Sequence, residues 1–478
     1  EFLWEIEDPI EMKTNFLHFL ECQKSFWLLK HKPSKYIHKE VSTYDDKLAY
    51  EGYEVQKLVQ DFLMEKKDKK YYSFEVPFKT DDKLYASADI IYQNPNGDID
   101  VYEVKSSGSI DKSNLIDAAF QTITIEKSGK KVNSIYIVHL NKDYVRGSSI
   151  KVEEMMVFSL VTDKVRKIIE ETYLQIKLAL NMLKKTEIDE DGCSCLKLSR
   201  THHCDTFDFF NPNIPSPSIY NLPRISKKKL NTFVNESRFN LNDVDESELT
   251  GKQISVLKSA KSRSPIIDKK IIKKFFQQIQ YPVYFLDYET YSSAIPIIEG
   301  VKPHSHIPFQ FSIHVKHSEN SSNLKHFEYL SGKIELPLKM IEYMEKIIAT
   351  KGSVVCWHKS FENTRNKEMG ILYPKKDSFL KSIINRTIDL EDIFKEGYVD
   401  IAFQGSTSIK KVLPVIISDL NYDNIEVSNG TDAMEAFKRI IDMPNGTAKN
   451  KLRNDMLEYC KLDTLAMVKI FEKIKILI

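Results

Sequence analysis

No run of eighteen apolar residues occurs anywhere in the 478-residue chain, so no membrane-spanning helix is expected. No G-x-x-x-x-G-K-[ST] segment is present, which excludes a P-loop nucleotide motor, and no internal repeat is found. An excess of one charge is missing too. The 69 Lys and Arg nearly match the 68 Asp and Glu, for a net charge of +1. That excludes a generally basic nucleic-acid coat and leaves room for a local basic groove. The lysine runs at 66–70, 227–229 and 269–274 read as solvated faces. No secretory signal is visible, so the six cysteines are expected as thiols and the protein in the cytoplasm. Glu1 stands where a methionine would begin a chain, so the natural start is expected to lie elsewhere.

What is present fits a globular protein of two or more domains. The length exceeds one ordinary core, with 42% hydrophobic and 11% aromatic residues. The most informative stretch is Ala88-Asp89-Ile90-Ile91, followed by Tyr102-Glu103-Val104-Lys105. Between them lies the turn cluster Asn94-Pro95-Asn96-Gly97-Asp98, which predicts a β-hairpin. Such a hairpin brings Asp89 beside Glu103. Strand alternation puts Lys105 on the same face as Glu103. Two carboxylates suit a hard cation such as Mg²⁺ or Mn²⁺, and a metal with a lysine suits phosphodiester hydrolysis. The bland alternative is a surface hairpin with ordinary charges.

The arrangement resembles the PD-(D/E)XK nuclease superfamily, in which a hairpin carries D…(D/E)-x-K. The iron–sulfur branch, RecB-like exonucleases including those of CRISPR adaptation, also carries an upstream G-x-x-x-H. Here Gly52 is followed by Gln56 in the histidine's place, and Glu54 is the substitute ligand. The resemblance further implies that Gln121, in Asp117-Ala118-Ala119-Phe120-Gln121, is a catalytic-site glutamine on a helix. On its own a single helical glutamine reads as solvated.

Cys193, Cys195 and Cys204 crowd together, while Cys22 lies far upstream. One early cysteine and a late trio resemble the 4Fe-4S clip of the same nucleases, and four thiolates is the ligand count for such a cluster. The cluster would close a long loop and act structurally. Two readings stand beside it. The thiols could be free and buried, or Zn²⁺ could be held with help from His202 and His203. Cys356 and Cys460 lie in apolar settings and read as core.

Asn211-Pro212-Asn213-Ile214-Pro215-Ser216-Pro217 predicts an extended boundary, followed by a small helical connector. The expected domains are 1–208, a linker and connector over 209–280, and 281–478. The last opens with Tyr284-Phe285-Leu286-Asp287-Tyr288-Glu289-Thr290, an apolar strand that ends in two carboxylates on one face. It resembles the first motif of DnaQ-like DEDD exonucleases, which have an RNase H-like fold. Their second motif is matched by Val354 to Phe361 and Glu362, with Glu362 for the family's aspartate and His358 for its asparagine. Their third is matched by Tyr459-Cys460-Lys461-Leu462-Asp463, with Tyr459 and Asp463 one helical turn apart. The resemblance implies that Asp287, Glu289, Glu362 and Asp463 hold two metals and that Tyr459 orients the attacking water. Asp389 reads as structural. The same region resembles an uncharacterised bacterial domain that often follows RecB-like iron–sulfur nucleases. Gly405 to Lys411 reads either as a phosphate-contacting loop or as an ordinary helix N-cap.

The expectation is therefore an α/β protein with two nuclease domains, a PD-(D/E)XK core and an RNase H-like exonuclease. Asp89 and Glu103 hold Mg²⁺ or Mn²⁺, Lys105 steadies water or phosphate, and Cys22, Cys193, Cys195 and Cys204 hold a 4Fe-4S cluster or Zn²⁺. The implied substrate is DNA with a single-stranded end, with RNA open for the second domain. A helicase or a defence system is the implied partner, and no membrane is. The competing expectation is a nucleic-acid-binding scaffold or a defence effector triggered by a partner.

Overall fold

The computed structural model describes residues 13–37, 42–420, 427 and 429–478. The chain divides into two compact units. One is Glu1–Asn213 with Ser293–Ser305, the other Ile214–Ser292 with His306–Ile478. Both are mixed α/β. No helix among the described residues is long and apolar enough to cross a membrane.

The first unit begins with α1 (Lys13–Glu21), α2 (Gln23–His31) and α3 (Thr43–Met64). Next come β1 (Tyr72–Lys79), β2 (Tyr85–Gln93), β3 (Ile99–Val104), α4 (Lys112–Lys127) and β4 (Val132–Leu140). It continues with α5 (Val152–Met155), β5 (Met156–Leu160), α6 (Thr162–Leu183) and α7 (Phe207–Phe210). The strands form one sheet in sequence order. β3 and β4 are parallel and α4 is their crossover; the other neighbours are antiparallel. The predicted hairpin is present as β2 and β3, turned by Gly97 at φ +90°. Ser42 and Asp45 start α3 with a reciprocal capping box. Val55, Val59 and Leu63, four residues apart, bury α3 against Ile90, Val104 and Val138. On the other face, Ala118 and Ala119 of α4 and Val165 of α6 pack on Ile99 and Val101.

The second unit opens with α8 (Lys227–Asn235), α9 (Gly251–Ser262), β6 (Ile266–Ile267) and α10 (Lys269–Gln277). Then follow β7 (Val283–Tyr291), β8 (Ile307–Lys316), β9 (Leu324–Leu330), α11 (Leu338–Ile347), β10 (Ser353–Cys356) and α12 (Lys359–Leu372). The rest is α13 (Asp377–Arg386), β11 (Thr387–Asp389), β12 (Tyr398–Val399), α14 (Ile409–Ile416), α15 (Gly430–Asp442) and α16 (Thr447–Lys475). The main sheet runs β9-β8-β7-β10-β11. Its first three strands form an antiparallel meander, and β10 and β11 run parallel to β7. Alternate residues of β7 face opposite helices. Val283 and Phe285 pack against the α16 side, and Tyr284, Leu286 and Tyr288 against the α11 side.

The region read as linker and connector divides differently. Residues 214–280 belong to the second unit. α10 buries Ile272 and Phe275 in the cluster that holds Phe285 and Phe471, and Ile401 N donates to Ser259 Oγ of α9 at 2.9 Å. The apolar residues at helical spacing form helices as expected, and on α10 the buried ones are Ile272 and Phe275.

Candidate metal and active sites

The register that pairs Ile90 with Tyr102 sets Asp89 level with Glu103. Asp89 Oδ2 accepts the Val104 N–H at 2.8 Å, which locks its carboxylate to the partner strand. Glu103 is 1% exposed and lies on the α4 side. Lys105 Nζ donates to Glu103 Oε1 at 2.5 Å and to Asp117 Oδ2 at 2.6 Å. Gln121 Nε2 donates to Glu103 Oε2 at 2.5 Å and to Asp117 Oδ1 at 3.1 Å. A buried charge needs partners, and these four side chains supply them to one another.

Three of the predicted residues, Glu103, Lys105 and Gln121, thus meet at one place. Gln121 is buried, not solvated, because α4 is enclosed on all sides from Asp117 to Ile125. Asp117, one turn before Gln121, is the acid that sequence reading passed over; its i, i+4 spacing from Gln121 was the available signal. Glu54, the substitute ligand, lies half-buried on α3, whereas the fully buried acid of that helix is Glu51. Glu51 Oε1 is paired with Lys47 Nζ at 2.6 Å. Gln56 donates to Glu75 at 3.4 Å. Among the described residues, no set of three ligand atoms within 4.8 Å includes Asp89, Glu103 or Glu54.

The four predicted thiols do converge. The Sγ atoms of Cys22, Cys193, Cys195 and Cys204 lie within 4.8 Å of one another, and all four residues are buried. Cys22 sits at the junction of α1 and α2. The helix pair is tied to the cysteine segment by Trp27 Nε1 to Lys185 O at 2.8 Å and Lys24 Nζ to Asp191 O at 2.9 Å. Hydrogen bonds from Cys195, Cys204 and Cys22 hold the Cys193 thiol well below its ordinary range, and the same crowding pushes Cys22 up. The two histidines stand outside the quartet. His202 Nδ1 bonds Ser199 Oγ at 2.9 Å, and His203 Nε2 bonds Leu198 O at 3.1 Å. The donor set is therefore four sulfurs, and it can hold a metal.

In the second unit, Asp287 and Glu289 alternate along β7 toward α16. α16 brings Tyr459, Cys460 and Asp463 to the same face, all buried. Glu362 enters from the first turn of α12 and is 4% exposed, with Oε2 lacking a hydrogen-bond partner. The turn into α12 is sharp. His358 sits at φ +65°, and Asp389 accepts His358 N at 2.9 Å and Lys359 N at 3.1 Å. That is the structural role expected of Asp389.

The charges here oppose each other. Burial first, then the charges of Asp463, Glu289 and Glu362, raise the Asp287 carboxyl well above the usual range. Burial and Asp463 do the same to Glu289, and burial pushes Glu362 up to about 8. Two carboxylates within ligand distance, with two more near enough to raise them, is the pattern of a cation site.

Cys460 needs correction from plain core residue. Its Sγ is 3.5 Å from Asp287 Oδ2, and among the described residues its sulfur forms with oxygens of Asp287 and Glu289 a set of three ligand atoms within 4.8 Å of one another. Burial, then Asp287, Glu289 and Asp463, push this thiol well up. The segment Gly405 to Lys411 also reaches the site. Glu391 accepts Thr407 Oγ1 at 2.5 Å, and Lys410 Nζ lies 5.7 Å from the Tyr459 ring centre. The Lys410 charge draws the Glu289 carboxyl down against the acids.

Beside the acids, His314 and His326 face each other across β8 and β9 with ring centres 4.4 Å apart. Ser312 Oγ bonds His326 Nε2 at 3.0 Å, and Thr464 Oγ1 bonds His314 Nδ1 at 2.8 Å. Burial lowers His314 to about 3 and His326 to about 4. Below about pH 6.5 the unfolded chain binds protons that the folded one refuses, so stability falls with pH toward 4. Between pH 6.5 and 5 the loss should be about 2–3 kcal/mol for the pair. Urea titrations of the full chain at both pH values measure it, and His314→Gln with His326→Gln should flatten the difference.

Residues 284–408 match a family described as "Domain of unknown function (DUF2779)". This meets the expectation of an uncharacterised domain over that stretch, which includes Asp287, Glu289 and Glu362 and stops short of Tyr459 and Asp463. Uncharacterized protein MG366 of Mycoplasma genitalium is 33% identical over 211 residues, covering 39% of this chain and 31% of that protein. Its homolog in Mycoplasma pneumoniae is 28% identical over 217 residues, 41% of this chain and 33% of that one. Uncharacterized protein UU173 of Ureaplasma parvum is 26% identical over 272 residues, 52% and 36% respectively. The chain thus spans about a third of the length of these relatives.

Proposed function

We propose that the chain is a metal-dependent nuclease that hydrolyses DNA from a single-stranded end. The observation that carries this is the set formed by Asp287, Glu289 and Cys460, whose ligand atoms lie within 4.8 Å of one another, with the charges of Glu362 and Asp463 near enough to raise the Asp287 carboxyl. The strand order around it, a three-strand meander followed by two parallel strands, supports an RNase H-like reading of the second unit. Mg²⁺ or Mn²⁺ on these oxygens would supply the positive charge that in-line attack on a phosphodiester needs. Tyr459 packs beside the acids, where it can orient the attacking water, and the Lys410 ammonium over its ring offers a contact for a backbone phosphate.

The first unit is read as a PD-(D/E)XK core with Asp89 and Glu103 as ligands. Lys105, bridging Glu103 and Asp117, is placed to move onto a scissile phosphate. One observation favours a scaffold there instead: Lys105 and Gln121 close on Glu103, and among the described residues no set of three ligand atoms within 4.8 Å includes Asp89. The sulfur quartet fits a structural clip. A single tetrahedral zinc ion with Zn–S of about 2.3 Å sets its sulfurs about 3.8 Å apart, within the observed spacing. A 4Fe-4S cluster uses the same four thiolates and would require the quartet to open. Visible absorbance of anaerobically purified protein decides between them, because iron–thiolate clusters are coloured and zinc is not.

End-labelled single- and double-stranded DNA, incubated with Mg²⁺, Mn²⁺ or chelator, tests the whole reading. Chelator-sensitive shortening is expected. Intact DNA under every condition would leave a scaffold or a partner-triggered effector. Lys105→Ala separates the two sites. It should cut the first unit's activity at least about 100-fold and lower stability by about 3 kcal/mol, since Glu103 and Asp117 would face each other without a cation. An Asp287→Ala chain keeps whatever activity belongs to the first unit.

A further inference from the structure

We propose that Asp287, Glu289 and Cys460 form a mixed oxygen–sulfur site that takes thiophilic divalent ions, zinc, cadmium or cobalt, in preference to magnesium. The inference rests on the cation-site reading of the second unit and adds which ions that site selects. Three ligand atoms, two oxygens and one sulfur, already lie within 4.8 Å of one another. The sulfur is inside the acid group, 3.5 Å from Asp287 Oδ2, and Cys460 is 0% exposed. A second observation points to a cation at the same place: Glu362 is 4% exposed, its Oε2 has no hydrogen-bond partner, and its charge is felt at Asp287.

The sulfur's position on the helix explains why it is unavoidable. Cys460 precedes Asp463 by three residues on α16, so any turn of the helix that presents Asp463 to β7 presents Cys460 as well. In the ion-free protein the S–H donates to Asp287 Oδ2. A hard ion such as Mg²⁺ uses the carboxylates and leaves that proton in place. A softer ion bonds the sulfur, the S–H bond breaks, and its proton passes to solvent. Zinc or cadmium would then hold Asp287 and Glu289 in a geometry set by sulfur and keep Mg²⁺ out. The site becomes one whose activity depends on which ion occupies it.

The test uses the full chain with its cysteine quartet loaded, so that differences between variants report on Cys460 alone. Co²⁺, Cd²⁺ and Mn²⁺ are titrated into the parent and Cys460→Ser, with Cys460→Ala as a second variant and thermal melts confirming both are folded. The parent should show a sulfur-to-cobalt charge-transfer absorbance that both variants lack. Cd²⁺ affinity should fall on the order of tenfold or more in the variants, with Mn²⁺ affinity held within about twofold. Equal Cd²⁺ affinity and identical cobalt spectra in parent and variants, with Mn²⁺ still binding, would overturn the sulfur ligand and leave the carboxylate site standing. If none of the three ions binds beyond the quartet and Asp287→Asn changes nothing, the cation-site reading itself falls and takes the inference with it.

Discussion

Asp287→Asn should abolish the chelator-sensitive activity of the second unit, by about 10³-fold or roughly 4 kcal/mol of barrier, and at the same time make the ion-free protein more stable. The two effects have one cause. Asp287 sits among Asp463, Glu289 and Glu362 in a place that disfavours its charge. An amide of nearly the same shape spares folding the cost of burying or protonating the Asp287 carboxyl among these acids, so the ion-free fold should gain about 1–3 kcal/mol. A cation reverses the balance. In the parent, Mn²⁺ binds the folded state and raises its melting temperature by mass action; in the variant that rise should shrink or vanish. Differential scanning calorimetry with and without Mn²⁺, beside the labelled-DNA assay, measures both. A structural carboxylate would behave oppositely, because its removal would destabilise the protein and leave the Mn²⁺ shift intact.

The parts legible in the sequence were those where local pattern and chemistry coincide. The β2–β3 hairpin followed from Asn94 to Asp98 between alternating strands, and it placed Asp89 level with Glu103 as expected. The apolar strand ending in Asp287 and Glu289 was equally plain, and so was the helical spacing of Tyr459 and Asp463. Cys22 joining a trio so far along the chain came from the resemblance, since nothing local connects them. What stayed hidden depended on tertiary packing. Asp117 looks like any helical acid until α4 is seen enclosed on all sides with Lys105 reaching it. Cys460 reads as core because its neighbours in sequence say nothing about the carboxylate across from it on β7. Glu51 outranks Glu54 in burial only because α3 turns its 47-51-55-59-63 stripe inward. The helical spacing of the connector was legible, but which unit it joins is decided by two buried apolar side chains on each of α8, α9 and α10.

Cys195→Ser should be the most destabilising single change in the first unit. Cys195 is 0% exposed and shares its site with Cys22, Cys193 and Cys204. Three of these sulfurs come from the segment after α6 and one from the α1–α2 junction, so a metal here fastens the two N-terminal helices to a distant part of the chain. Without it, that attachment rests on contacts such as Trp27 to Lys185 and on the packing of Phe16 against Phe120. Structural tetrathiolate sites stabilise strongly, and losing one ligand of four should cost at least about 4 kcal/mol. For a unit of this size that lowers the melting temperature by roughly 10 °C or more. Chelation of the parent should produce the same fall, and chelation of the variant should add little, because both remove the same constraint. Limited proteolysis locates the effect, with cleavage expected first between α1 and α3, where the clip no longer holds the helix pair. If Cys195→Ser and chelator each left melting unchanged, the four thiols would be buried core cysteines that hold no metal, and the stability of the first unit would come from its sheet and the helices α3, α4 and α6 packed on it.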